Sequence, residues 1–238
     1  KDWAQGRGVA VGDWSVGVNR GVEEDRGVFA TNRIEAGGLL AVVPTSTSLV
    51  ATEEPPTLPS SFINKGYWRT PDASSSDKGW VLKLAVQLLH TRAQGPDAAL
   101  APYLAVLPEK VPTLMEFPDD LLAELQWPPL VERIKQEREW MAAAFSTLRP
   151  FLQTGSQKTK KKEKGKGQKG FASKPEIDAS AVHAEVTFED FRWALGCVRS
   201  RSFTDAGRWA MCPCADLFNH GRAGQGSSLT FLPTGGGG

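Results

Sequence analysis

Between Trp193 and His220 the sequence places two arginines beside an aromatic, Arg199-Ser200-Arg201-Ser202-Phe203. An Asp, an Asn and a His then fall within five positions, Asp216-Leu217-Phe218-Asn219-His220. Directional polar groups set among apolar residues are costly to bury unless each finds a partner. This stretch is therefore where a ligand is to be sought. An Asn amide both donates and accepts, an Arg offers a planar fork to a carboxylate, and an Asp receives an ammonium or a guanidinium. On residue types alone, Arg201 and Asp216 read equally well as a structural ion pair or as ligand contacts. Asn219-His220 can also be read as a turn after a buried strand.

Other candidates for chemistry are weaker. Cys212-Pro213-Cys214 offers two thiols, but the chain has three cysteines and no CxxC pair, while a structural zinc site needs about four ligands. The expectation is thiols in a reducing compartment and no metal. Gly37-Gly38 is not followed by GK[ST], so it reads as a hairpin turn and not a phosphate loop. His90 lies with Lys83 and Gln87 opposite the apolar stripe Val81, Leu84, Ala85, Leu88, Leu89 of a helix. All three are expected on a solvated face.

The elements that must position the Trp193–His220 stretch follow from patterning. Trp3 and Trp14 read as anchors packed on a neighbouring surface. Gly27-Val28-Phe29-Ala30 and Leu39-Leu40-Ala41-Val42-Val43 read as short strands, the second ended by Pro44, which has no ladder donor. After a Pro- and Ser-rich loop comes the helix just described, stopped by Gly95-Pro96. Pro118-Asp119-Asp120 starts a short helix, with acids where the N-terminal dipole favours them. A longer helix runs from about Pro129 to Leu148, burying Val131, Ile134, Met141, Phe145 and Leu148. Thr187 with Asp190 resembles a capping box. It opens a helix with Phe188, Phe191, Leu195 and Val198 on its apolar face and Trp193 in the core. The fold class is α+β: short strands split by a helical insertion.

Charge is uneven. Residues 157–174 hold eight lysines and one acid, a local +7, in a chain whose formal net charge is +1, so the remainder carries −6. With Phe171 the only aromatic there, the expectation is a disordered, solvated loop over 154–180. Nucleic-acid binding through it is the lesser alternative. No apolar run approaches the ~18 residues of a membrane span. A monomer is expected.

In family order along the chain, four segments resemble those of SET-domain protein methyltransferases, most closely the branch related to plant Rubisco large-subunit methyltransferase. They are Glu24-Asp25-Arg26-Gly27-Val28-Phe29-Ala30, the run Gly95-Pro96-Asp97 through Ala101-Pro102-Tyr103-Leu104-Ala105-Val106-Leu107-Pro108, then Ser200-Arg201-Ser202-Phe203 and Asp216–His220. The resemblance implies a partial SET domain over 15–238. Its core would be 22–50 and 187–232, its helical insert 77–152.

The same resemblance implies S-adenosyl-L-methionine as cofactor and a protein lysine side chain as substrate. Glu24, Asp25 and Arg26 would lie along the cofactor through backbone groups, and Asn219 and His220 would hold its amino-acid part and adenine. Arg201 and Asp216 would lie near the substrate channel, with Ser200 and Phe203 as pocket wall. The family's catalytic tyrosine follows the Asn-His pair. Here the two tyrosines, Tyr67 and Tyr103, are both upstream, so no catalytic residue is assigned. The expectation is a C-terminally incomplete methyltransferase, inactive or weak as this chain. The alternative is a non-catalytic protein-binding module derived from a SET domain. An intracellular location is expected, with chloroplast, cytoplasm and nucleus all open.

Overall fold

The computed structural model describes residues 2–18, 26–152, 185–205 and 207–218. The Lys-rich segment 154–180 lies outside the described residues, and so does the expectation attached to it. The elements run α1 (Asp2–Gly6), β1 (Ala10–Val11), β2 (Trp14–Val18), β3 (Arg26–Ala30), β4 (Ala41–Val42), β5 (Leu49–Ala51), α2 (Pro71–Ser74), α3 (Gly79–Ala93), α4 (Ala101–Leu104), α5 (Asp119–Ala123), α6 (Pro128–Leu148), α7 (Phe188–Arg201), β6 (Ser202–Asp205) and β7 (Arg208–Met211). This is the expected α+β arrangement: short strands on both sides of a long helical stretch.

Three small antiparallel sheets form among the described residues. In the first, β1 pairs with β4, Ala10 opposite Val42. In the second, β2 pairs with β3, Trp14 opposite Ala30 and Val18 opposite Arg26. The third has the order β5-β7-β6, with Leu49 and Ser202 both opposite Met211. The strand expected over Leu39–Val43 is shorter, only Ala41–Val42. Leu40 instead turns its carbonyl to two donors, the Gly12 N–H at 2.8 Å and the Trp14 indole Nε1–H at 2.7 Å. A Cβ at Gly12 would sit 2.7 Å from the Leu39 oxygen, so only glycine permits that approach. Trp14 is buried, as an anchor should be.

The core sits between α3, α7 and the third sheet. Leu82, Leu84, Val86 and Leu88 on α3 are all fully buried, as are Phe191, Ala194, Cys197 and Val198 on α7. A helix packed on both sides has no solvated face. Lys83, Gln87 and His90 accordingly depart from expectation. Lys83 is 8% exposed. Its ammonium donates to the Thr52 and Glu53 carbonyls at 2.7 and 2.5 Å. Gln87 donates to the Val50 carbonyl at 2.9 Å, and the His90 ring lies 4.9 Å from that of Phe62. For Gln87 the physical reason is the edge of β5, which among the described residues pairs on one side only: a backbone carbonyl left at a covered edge needs a donor. Lys83 in the same way answers two carbonyls of the loop that follows β5. Burial pushes the Lys83 ammonium below its ordinary pKa, opposed by the nearby charge of Glu53.

α6 buries Ile134, Met141, Ala144 and Leu148, with Val131 and Phe145 half-buried. It is tied to α7 through Glu137, which pairs with Arg199 and, at 3.1 Å, with Lys78. Both cations also lie over the Trp140 ring, Lys78 Nζ at 4.2 Å and the Arg199 guanidinium at 5.2 Å from its centre. Trp193 is only half-buried. Its indole donates to the Pro108 carbonyl at 2.8 Å, and Arg92 stacks 4.4 Å from its centre.

Candidate functional site

α7 starts where the sequence says it should. The Asp190 N–H donates to Thr187 Oγ1 at 3.2 Å and the Thr187 N–H to the Asp190 carboxylate at 3.0 Å, a complete capping box. The helix ends at Arg201, and Ser202 turns extended to begin β6. The β6–β7 hairpin then brings the chain back, Ser202 opposite Met211. Gly207, at φ +76°, takes the left-handed conformation this turn needs. After β7 the turn at Cys212-Pro213-Cys214 reverses the chain again. Cys214 adopts φ 72°, uncommon outside glycine, and the Asp216 N–H donates to the Cys212 carbonyl at 3.1 Å. Two reversals within fifteen residues thus return Asp216 to the end of α7.

There Arg201 Nη1 lies 3.2 Å from Asp216 Oδ2 and 3.5 Å from the Asp216 carbonyl. A second donor comes from the helical stretch. The Tyr103 hydroxyl, on α4, donates to the same Oδ2 at 3.0 Å. The Asp216 side chain is 1% exposed, and Oδ1 has no hydrogen-bond partner among the described residues. Burial raises the Asp216 pKa above the ordinary carboxylate value, and the charge of Arg201 and the two donors offset this only in part. Tyr103 is buried and its hydroxyl is pushed well above its usual pKa, first by burial and then by the Asp216 charge. Burial pushes the neighbouring Cys197 thiol up to about 12 and raises that of Cys212 as well. Among the described residues no group of three or more His, Cys, Asp or Glu side chains is arranged to hold a metal.

A backbone of this kind, small antiparallel sheets on either side of a helical stretch with the two chain regions meeting at Asp216, has counterparts. The structure of the SET domain of LSMT bound to lysine and AdoHcy matches over 93% of this chain and 44% of that one, at 19% identity and a TM-score of 0.61. The structure of Rubisco LSMT bound to sinefungin and monomethyllysine matches over the same shares, at 19% identity and a TM-score of 0.60. The chain has a SET-domain-like fold. It spans less than half the length of those solved chains. The sequence itself matches no protein-family profile and no curated protein.

Within this SET-like fold the described residues bring Arg201 and Asp216 together. Ser200 is exposed, and its hydroxyl turns back to the Gly196 carbonyl of its own helix at 2.9 Å. Phe203 is half-buried on β6. Arg199, which the sequence left without a role, serves the Glu137 pair. Glu24, Asp25, Asn219 and His220 lie outside the described residues, and of Arg26 only the backbone, at the start of β3, is described. Next to Asn219 in sequence, the ring of Phe218 meets that of Trp14 edge-on, centroids 5.0 Å apart. Trp14 pairs with Ala30, so Phe218 is beside the far end of β3 from Arg26, about 13 Å along an extended chain. Tyr103 is the residue that sequence reasoning missed. Its signal was a polar tip in an otherwise apolar Ala-Pro-Tyr-Leu-Ala-Val-Leu run, which needs a partner if buried.

Proposed function

We propose that this chain binds S-adenosylmethionine and a protein lysine side chain, as an N-methyltransferase of SET ancestry. The observation that carries the reading is Asp216. It is a buried carboxylate held at one oxygen by Arg201 and Tyr103, with the other oxygen open to a donor among the described residues. An unsatisfied buried acceptor is costly, and an arriving N–H donor removes that cost. The cofactor contacts are assigned to Glu24, Asp25 and Arg26 through their backbone and to Asn219 and His220. The Asn amide both donates and accepts, which suits an amino-acid moiety. When bound, the cofactor supplies an electrophilic sulfonium methyl. The protein's part is to align a lysine amine and exclude water. The amine must arrive neutral, and a dry site disfavours the ammonium against its ordinary pKa of ~10.4.

Turnover by the 238-residue chain alone is expected to be low. Of its two tyrosines, Tyr103 is engaged with Asp216, and Tyr67 is fully buried, its ring 5.0 Å from Trp68 and 5.8 Å from Phe151. Neither is placed to orient an amine as the family's catalytic tyrosine does. The same observation favours the second reading, a binding module that has kept the surface and not the chemistry. No helix among the described residues is long and apolar enough to cross a membrane. Calorimetric titration with AdoHcy tests the assignment: binding is expected, and Asn219→Ala should weaken it at least tenfold, roughly one good hydrogen bond. Absence of binding by the wild-type chain would leave the binding module as the reading. Robust tritium transfer to protein substrates, insensitive to Tyr67→Phe and Tyr103→Phe, would overturn the expectation of low turnover.

A further inference from the structure

Two donors reach Asp216 from different parts of the chain. Arg201 arrives from the end of α7, 15 positions away, and Tyr103 from α4, 113 positions away. Both converge on Oδ2. Resting on the reading that Asp216 receives the substrate amine, we propose that Tyr103 is a positioning residue. Its hydroxyl fixes the carboxylate plane so that Oδ1 alone is presented, which selects a single-point amine donor over a guanidinium.

The geometry supports this in three ways. A carboxylate held at one oxygen by a single donor can turn about its Cβ–Cγ bond, whereas two donors from separate elements restrain it. Arg201 contributes one nitrogen to the carboxylate and not a bidentate fork, so Oδ1, itself buried, is left without a partner among the described residues. A guanidinium prefers both oxygens of a carboxylate in a planar pair, and here Oδ2 is already taken twice; an amine needs only one acceptor. Among the described residues the groups facing the carboxyl are Arg201 and Cys197 from α7, Tyr103 from α4, and Cys212 after β7. Arg201 is the only cation among them. Tyr103 remains a neutral donor through the working pH range, because burial raises its hydroxyl.

The test reads Asp216 directly. In chain carrying 13C-labelled aspartate, the carboxyl resonance of Asp216, assigned by its loss in Asp216→Asn, is titrated in wild type and in Tyr103→Phe. Losing a hydrogen bond to the charged form should raise the titration midpoint by about one pH unit. In parallel, binding of free lysine with saturating AdoHcy should weaken about tenfold in Tyr103→Phe. That loss should vanish in the Asp216→Asn background. An unchanged midpoint, or the same tenfold loss with Asp216 already removed, overturns the proposal. If Tyr103→Phe does not fold, protein made with 3-fluorotyrosine decides the matter. Its more acidic hydroxyl is a stronger donor and should lower the midpoint, and no movement overturns the proposal. If the wild-type chain binds neither AdoHcy nor lysine, the methyltransferase reading falls, while the carboxyl titration still decides whether Tyr103 positions Asp216.

Discussion

Replacing Arg201 by Met removes the one cation that, among the described residues, faces a carboxyl that is 1% exposed, while keeping most of the side-chain stem. Breaking a buried pair from one side is costly because a charge is left uncompensated. Here the cost has a ceiling, since Asp216 can escape by taking up a proton. Holding it neutral at pH 7 against an unfolded value near 3.8 costs about 4 kcal/mol, and at pH 5 about 1.5 kcal/mol. The sign follows from burial. The folded carboxyl binds its proton more tightly than the unfolded one, so stability falls as pH rises above 3.8 and is regained on acidification. Arg201→Met should therefore lose up to about 4 kcal/mol at pH 7 and no more than about 1.5 kcal/mol at pH 5. Asp216→Asn combined with Arg201→Met should lose the pH dependence. Urea unfolding of the two variants and wild type at both pH values measures this. An equal loss at pH 5 and pH 7 would refute the argument, because it would place the effect in packing and not in charge.

Lys83→Met should destabilise the fold by about 1–3 kcal/mol in urea unfolding, since the Thr52 and Glu53 carbonyls lose their donor. A neutral outcome would mean that water reaches them. Thr187→Ala should cost about 1 kcal/mol through loss of the capping box and lower Tm accordingly. The thiols of Cys197 and Cys212, buried and raised in pKa, should react with an aromatic disulfide reagent only as the protein unfolds. Rapid reaction in native buffer at pH 8 would contradict their burial. Metal analysis of purified protein should find no zinc, and one equivalent lost in Cys212→Ser would overturn that expectation.

The parts of the fold legible in the sequence are those set by local chemistry. Thr187 with Asp190 announced the start of α7, Gly95-Pro96 the end of α3, and Pro128-Pro129 the start of α6. In each case the deciding interactions lie within a few residues. What misled was the assumption that a polar stripe faces water. Lys83 and Gln87 look solvated on a helical wheel, yet Gln87 serves the edge of β5, 37 positions away, and Lys83 the loop just after it, and no local pattern encodes that. The candidate site was legible at Arg201 and Asp216, whose residue types already offered an ion pair or ligand contacts, and two chain reversals bring them together. It was not legible at Tyr103, because a partner 113 positions distant leaves no trace in spacing. Leu39 and Leu40 read as strand by composition, but Leu40 spends its carbonyl on Gly12 and Trp14.

The sheet order β5-β7-β6 also bears on how the chain assembles. Leu49 pairs with Met211 across most of the sequence. Contacts of such separation close late and slow folding, because the loop entropy must be met before the pairing rewards it. Until β7 arrives, β5 is a strand with two open edges, the form most prone to pair with another molecule. One of those edges is answered early. Gln87, whose side chain donates to the Val50 carbonyl, lies only 37 positions downstream, and α3 can form and dock while the rest of the chain is still unfolded. On a ribosome, the helix would cover that edge long before the strand's sheet partner is synthesised. The glutamine that looked like surface decoration would then act as a temporary guard against aggregation.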